Sequence, residues 1–338
     1  MPAVYHFLMF FFDLILLWLI RRYAPTTVWC FLKLALLGFG TAIFWGFVLR
    51  WGDFNFIIHG LAWHGGFFLI GSAFLIQRQT IGNKRRFVFP LTIFFCAIIY
   101  LGLAVDALLI EPTALVIKRH TIVTPKITTP MKIVFLADIQ TDQIGRYERK
   151  TLELVKKENA DLILLGGDYI QARTKTQEHQ LLTEFNALLR EINLNAPCGV
   201  YAVQGNQENG AWFHWTRSFN KTEIIPVSRT VSFNVGEIRL TLLSMYGSFT
   251  NRTFYDKNLE NRFRIIVGHA PLFALAEQQA ELLLAGHTHG GQVRIPGYGP
   301  IITMSEGLPK KWSSGLTILP NGSTLIVSNG TGLERGRA

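Results

Sequence analysis

The chain has 338 residues, 49% of them hydrophobic and only 17% charged, with a net charge of +10. That is too apolar for an ordinary soluble enzyme, and three cysteines build no disulfide framework. The apolar excess lies almost wholly before residue 111, in four stretches at about 5–20, 28–49, 54–76 and 87–110. Crossing a bilayer takes ~20 apolar residues in a helix. The predicted organisation is therefore a four-span helical membrane domain over 1–110. The first stretch is the shortest, and a buried core helix is the alternative for it. It does not read as a cleavable signal, because Met1-Pro2-Ala3-Val4-Tyr5-His6 lacks a basic start and Arg21-Arg22 stand where small residues would be needed.

Basic loops set orientation. Arg21, Arg22 and Lys33 flank the first connection, and Arg78, Lys84, Arg85 and Arg86 the third, whereas the second pairs Arg50 with Asp53. The two basic loops should face the cytoplasm. This makes the chain a multi-pass inner-membrane protein with everything after the fourth span on the extracytoplasmic side. His59 and His64 are five residues apart, a spacing that does not share a helix face, and read as interfacial polar residues. Asp13 and Asp106 lie close to segment ends, so a transporter reading is weak. Cys30 and Cys96 fall in membrane stretches.

Residues 111–130 hold Pro112, Pro125 and Pro130 and read as a linker with a possible leading strand at Ala114–Lys118. From 131 to 338 strands and helices alternate, the pattern of an α/β domain with a mixed sheet. Amphipathic helices are expected at Tyr147–Asn159 and Gln177–Asn193. Hairpins are expected about Gly236 and about Pro320-Asn321-Gly322. Cys198 reads as a small buried strand residue. The region from Glu111 onward carries 25 Lys and Arg against 20 Asp and Glu, a net of +5. A basic domain beside a bilayer fits an anionic lipid or phosphorylated partner. Nucleic acid ranks well below that, because no basic run is interleaved with stacking aromatics.

Five apolar, strand-like runs in this domain each end in metal-type residues. The first, 131–137, ends at Asp138-Ile139-Gln140, and Asp161–Leu165 ends at Gly166-Gly167-Asp168. Residues 198–203 lead to Gly205-Asn206-Gln207-Glu208, and 263–267 to Gly268-His269. The last, 282–285, runs into Gly286-His287-Thr288-His289-Gly290-Gly291-Gln292. Ligands of open α/β sheets gather at the carboxyl ends of strands. Glycine frees the backbone to turn both imidazoles one way, and neutral imidazole is a ligand for Zn, Mn or Fe. Taken singly, each Asp or Asn is an ordinary turn or cap residue. Five in order point to a metal site.

This order resembles the calcineurin-like metallophosphoesterases, most closely their membrane-associated bacterial branch. The resemblance covers about 130–335 and includes the tail Val327-Ser328-Asn329-Gly330 to Glu334-Arg335-Gly336. It implies a four-layer α-β-β-α sandwich and two divalent metal ions (Mn, Fe, Zn or Mg). One ion would be held by Asp138, Asp168 and His289, and the other by Asp168, Asn206, His269 and His287. It also implies attack on phosphorus by a hydroxide shared between the ions, about 3.5–4 Å apart. Relatives there act on phosphodiesters or on UDP-diacylglucosamine.

Two positions depart from the family. Gln140 stands where the family has a ligand His, and Gln207 where it has a His that assists the leaving group. An amide is a poorer ligand for borderline metals and cannot surrender a proton near neutral pH. Gln207 can still donate a hydrogen bond to a phosphoryl oxygen. Losing a general acid costs ~10²–10⁴-fold, least with good leaving groups, so aryl esters and pyrophosphates should outpace alkyl phosphates. The expected function is an integral-membrane phosphoesterase acting on a phosphodiester or pyrophosphate in a lipid or envelope component. The alternative is a catalytically impaired membrane module that binds phosphate. Glu208 either orients a ligand His or starts a helix. Trp212, Phe213, His214 and Trp215 form a substrate wall, a lipid contact or a buried helix face. Leu308–Trp312 reads as a solvated loop.

Overall fold

The computed structural model describes residues 2–23, 28–49, 54–80, 84–111, 114–210, 212–256, 261–291, 294–295, 297–301 and 303–332. Met1, Arg50, Asp53, Pro112, Gln292 and 334–336 lie outside the described residues, as do the side chains of Cys30, His59 and Lys84 to Arg86. The chain divides into two compact units, Met1–Pro112 and Thr113–Ala338.

The first unit is four helices: α1 (Pro2–Tyr23), α2 (Val28–Leu49), α3 (Phe54–Thr80) and α4 (Lys84–Val105), the last continued by a π-helical turn over Asp106–Ile110. Three spans, Val4–Tyr23, Gly60–Gln79 and Val88–Ile110, are long and apolar enough to cross a membrane, while in α2 the described apolar run Phe31–Gly46 is shorter. Apolar residues cover both the outside and the interior. Phe7, Trp29, Leu36 and Ile99 are exposed, whereas Leu16, Ile20, Phe31 and Phe68 are buried together. Outward apolar side chains fit a lipid surround better than water. Two sequence readings are corrected here. Asp13 is not near a segment end but in the middle of α1, 2% exposed. His64 is not interfacial, because its ring sits inside the bundle against Asp13 and His6. The contact joins residues 51 apart in sequence, beyond the reach of a spacing argument.

The second unit has two sheets. Strands β1 (Ile133–Leu136), β2 (Leu162–Leu165), β3 (Val200–Val203) and β4 (Ile224–Val227) form a parallel sheet in that order. The larger sheet is built from β5 (Val231–Val235), β6 (Ile238–Leu242), β7 (Phe263–Val267) and β8 (Leu282–Ala285), then β11 (Gly315–Ile318) and β12 (Thr324–Val327), with the small pair β9 (Arg294–Ile295) and β10 (Gly299–Pro300) apart. Its order is β11-β12-β8-β7-β6-β5. The two edge pairs are antiparallel and the central strands parallel.

Side chains alternate across a strand, and both faces are buried, which is why the runs read as continuously apolar. Leu162 and Leu164 pack with Leu240, Ile265, Leu282 and Leu284 between the sheets. Ile163 and Leu165 point the other way, onto α5 (Arg146–Lys157) and α6 (Lys175–Ile192), whose Leu152, Val155, Leu181 and Phe185 share their cluster. Thr174 caps α6 by accepting from the Gln177 N–H at 3.2 Å, and Asn193 ends it in a left-handed conformation. The outer face of the larger sheet (Ile266, Leu283, Leu325) packs on Phe273, Ala274 and Trp312. Phe273 and Ala274 belong to the 3-10 turn Pro271–Leu275. Among the described residues, the second outer helical layer expected from the resemblance is thus replaced here by short turns. The leading strand at Ala114–Lys118 does not form, and those residues are irregular. Cys198 instead precedes β3, half-buried against the inter-sheet core.

Candidate metal centre

The carboxyl ends of β1, β2 and β3 in one sheet and of β7 and β8 in the other carry the sequence-predicted residues. Backbone hydrogen bonds lock neighbouring loops. The Asp138 N–H donates to Gly167 O at 3.0 Å, Gln140 N–H to Asp168 O at 2.8 Å, and Gly286 N–H to His269 O at 2.8 Å. Two contacts tie the sheets together. The His287 N–H reaches both Asp138 carboxylate oxygens, at 3.0 and 2.9 Å, and His269 Nδ1 lies 2.8 Å from Gly166 O. Since that carbonyl can only accept, Nδ1 donates and Nε2 is directed at the site.

Asp168, His269 and His287 each offer one ligand atom, all within 4.8 Å of one another. His269 Nε2 lies 2.9 Å from Asn206 Oδ1 and 3.4 Å from Asp168 Oδ2. The four residues expected around one ion are therefore largely together. Asp138 is fully buried, and His289 is half-buried. A Cβ added at Gly330 would stand 2.7 Å from Asp138 Cβ and 3.1 Å from His289 Nδ1, so Gly330 lies between these two residues. Gln140 is buried beside Gly332. Gln207 is half-buried, and its N–H donates to Asp168 Oδ1 at 2.9 Å.

Asp138, Gln140, Asp168, His287 and His289 all have φ between 40° and 69°, five of the nine such non-glycine residues described. Left-handed backbone costs ~1–3 kcal/mol each and persists where surroundings enforce it. Here these residues stand just beyond the ends of β1, β2 and β8. Gly167, with φ 93°, is required twice over: a Cβ there would also stand 2.7 Å from Gly205 N and 2.8 Å from His269 Nδ1.

The protein groups alone are electrostatically frustrated. Burial pushes Asp138 up to about 8, against the pull of His269. Burial works to discharge His269, yet Asp168 and Asp138 hold it up at about 10. Burial, with the charge on His269, drives His287 down to about 4. Asp168 stays low despite its burial, because His269 outweighs that cost. Buried carboxylates need a positive partner. A proton on His269 is one, and a divalent cation is a stronger one. Carboxylate, imidazole and amide oxygen form a mixed donor set suited to Zn, Mn or Fe, so the residues fit a metal ion.

Three contributors were not legible as such. Glu208 is 6% exposed, and its carboxylate accepts the N–H groups of Asp168 (3.0 Å), Tyr169 (2.7 Å) and Gly205 (2.8 Å). It lies in the 3-10 turn Gln207–Gly210, and its carboxylate clamps the β2 and β3 loops rather than orienting a His ring. Phe249 packs edge-on to His287 at 4.8 Å. The tail returns to the site, with Thr331 N–H donating to Asp138 O at 3.0 Å.

Beside Asn206 and Gln207 opens a cavity of about 220 Å³ that Tyr169, Glu178, Trp212 and Trp215 help to line. Of the aromatic cluster, Trp215 is buried and Trp212 is 53% exposed, so the segment is both core and wall. Glu178 is spent on the Trp212 and Phe213 N–H groups, at 2.9 and 2.8 Å. The segment expected to be a solvated loop is partly anchored: Leu308 is buried, and Lys310 Nζ sits 4.3 Å above the Tyr298 ring.

A mixed carboxylate and imidazole cluster at parallel strand ends could hold a metal ion, and sequence comparison gives the class of protein. Residues 131–291 match the calcineurin-like phosphoesterases. The chain is 31% identical over 243 residues to an uncharacterized metallophosphoesterase, YkuE, of Bacillus subtilis, covering 67% of this chain and 82% of that protein. It is 26% identical over 242 residues to an uncharacterized metallophosphoesterase of Aquifex aeolicus, covering 66% and 86%. To the phosphodiesterase YaeI of Escherichia coli it is 25% identical over 199 residues, covering 55% and 70%. The chain belongs to the calcineurin-like phosphoesterase family, hydrolases acting on phosphoester bonds.

Proposed function

We propose that this chain is a membrane-anchored phosphoesterase that cleaves a phosphodiester or pyrophosphate bond in a lipid or envelope component, with its second unit on the extracytoplasmic side. The observation that carries the hydrolytic part is the meeting of Asp168, His269 and His287 within 4.8 Å, with Asn206 on His269. These four would hold one divalent cation, and Asp138, Asp168 and His289 a second, with Gln140 near it as a weak amide donor. The bound ions supply Lewis acidity and an activated water.

The remaining work falls to the protein. Glu208 holds the Asp168 backbone by accepting its N–H, and the Gln207 N–H donates to the Asp168 carboxylate. Gln207 also lines the adjoining cavity, where its side-chain NH2 can donate to a phosphoryl oxygen but cannot protonate a leaving group. The aromatic wall suits a flat or apolar leaving group, and a cavity of ~150 Å³ already accommodates benzene. The three apolar spans and the basic balance of the second unit favour a substrate near an anionic bilayer.

Hydrolysis of a bis-aryl phosphate by the detergent-solubilised chain with Mn tests the reading. Activity that Asp168→Asn abolishes supports it. A correctly folded wild type without activity under Mn, Fe, Zn or Mg refutes it, in favour of a phosphate-binding module.

A further inference from the structure

The cavity beside Asn206 and Gln207 has a chemistry that the metal-type residues do not explain. Its walls hold three aromatic rings, Tyr169, Trp212 and Trp215, and two carboxylates, Glu178 and Glu208. Among the described residues, no Lys, Arg or His lines it. Glu178 is 4% exposed and Glu208 6%. Backbone N–H groups occupy their oxygens: Glu178 accepts from Trp212 and Phe213, and Glu208 from Asp168, Tyr169 and Gly205. Neutral donors satisfy lone pairs but leave the charge uncancelled, and a buried carboxylate calls for a positive partner. Lys175 and Arg217, in the flanking segments, are turned over the Phe213 ring instead, 5.7 and 4.9 Å from its centroid, and do not line the cavity.

We propose that this cavity binds an organic ammonium group of the substrate, so that the bond cleaved is a phosphodiester to an amino alcohol of the ethanolamine or choline kind. The reaction rests on the phosphoesterase reading, whereas the binding of the cation does not. Aromatic rings attract an ammonium group through their quadrupole, most strongly where water is excluded, and aromatic cages recognise quaternary ammonium in this way. The size agrees. The cavity holds about 220 Å³, and one of ~150 Å³ already takes benzene, which is comparable in bulk to a trimethylammonium head. Ser218 lines the cavity at 1% exposure, and among the described residues its hydroxyl has no hydrogen-bond partner. That oxygen can accept from the N–H of a primary ammonium. The same walls disfavour the pyrophosphate alternative, because a second phosphate placed here would meet two carboxylates and no cationic side chain.

An ammonium group also answers the chemistry of Gln207, which borders the cavity. Hydrolysis adds one water across the P–O bond: the attacking water gives up a proton to solvent, and the departing alkoxide takes one back. The products are a phosphomonoester and the amino alcohol. Gln207 has no proton to give, so the site depends on a leaving group that carries its own stabilisation. A positive nitrogen two carbons from the departing oxygen supplies it, by direct attraction to the charge that develops there. A simple alkyl ester has no such group.

The test uses the full detergent-solubilised chain loaded with Mn and reads binding, by tryptophan fluorescence and calorimetry. Choline should bind roughly tenfold more tightly than 3,3-dimethylbutanol, its uncharged isostere. Glu178→Gln should remove most of that preference. Ethanolamine binding as tightly as choline identifies a primary ammonium as the natural group, and choline binding more tightly identifies a quaternary one; both support the site. Equal binding of choline and its isostere, or no binding of either, would overturn the proposal. The wild-type comparison decides this alone if Glu178→Gln folds poorly. Hydrolysis of a bis-aryl phosphate by the same preparation separates the two readings. Activity without an ammonium preference sinks this inference alone. A preference for choline in a chain inactive with every metal sinks the reaction and leaves the ammonium site standing.

Discussion

Replacing Glu208 probes how the site is built. Its carboxylate accepts three buried N–H groups, two from the β2 loop and one from the β3 loop. Oε2 serves Asp168 and Gly205, and Oε1 serves Tyr169. In Glu208→Gln the amide oxygen can keep the first two, but the NH2 group then faces the Tyr169 N–H, leaving one buried donor unpaired. Such a donor costs ~1–3 kcal/mol. For a unit of this size, each kcal/mol moves Tm by ~2–4 °C, so a fall of roughly 2–12 °C is expected. Asp168 is the residue so held, and loss of an outer partner weakens metal affinity by ~10–100-fold. Scanning fluorimetry reads the first effect and Mn calorimetry the second. Unchanged Tm together with Mn affinity within twofold of wild type would show that Glu208 is only a turn residue.

Gln207→His should restore a general acid and raise the rate on an alkyl diester by ~10²-fold or more, with little change on an aryl diester; equal gains on both would count against the assignment. Trp212→Ala opens the wall of the 220 Å³ cavity and should raise KM for aryl substrates several-fold, with alkyl substrates unaffected, in steady-state assays. The cation-stripped chain should lose stability as pH rises from about 6.5 to 8. Folded Asp138 (about 8) and His269 (about 10) keep protons there that the unfolded chain releases. Adding Mn, which replaces those protons, should flatten this slope in denaturation curves, and a slope of opposite sign would refute the electrostatic account.

Much of the site was legible because metal donors are few in kind and stood at the ends of apolar runs. Asp138, Asp168, Asn206, His269, His287 and His289 were readable from that pattern, since runs like Leu162–Leu165, buried on both faces, mark parallel strands. Glu208 was not, because two of its three partners are backbone N–H groups about 40 residues away. Phe249 comes from a segment with no polar signal, and it reaches His287 only through the packing of the larger sheet. The residues 114–118 have strand-like composition but stay irregular, since composition supplies no partner strand. His64 was misread for the complementary reason. Helical spacing orders residues within α1 or α3 but says nothing of how the two helices pair.

The most direct test of the central claim is an anomalous diffraction map of Mn-loaded crystals of the full chain. The account predicts a cation peak within ligand distance of Asp168, His269 and His287, and its loss in Asp168→Asn. Hydrolysis that persists with no peak there, or with a peak only elsewhere, would contradict it.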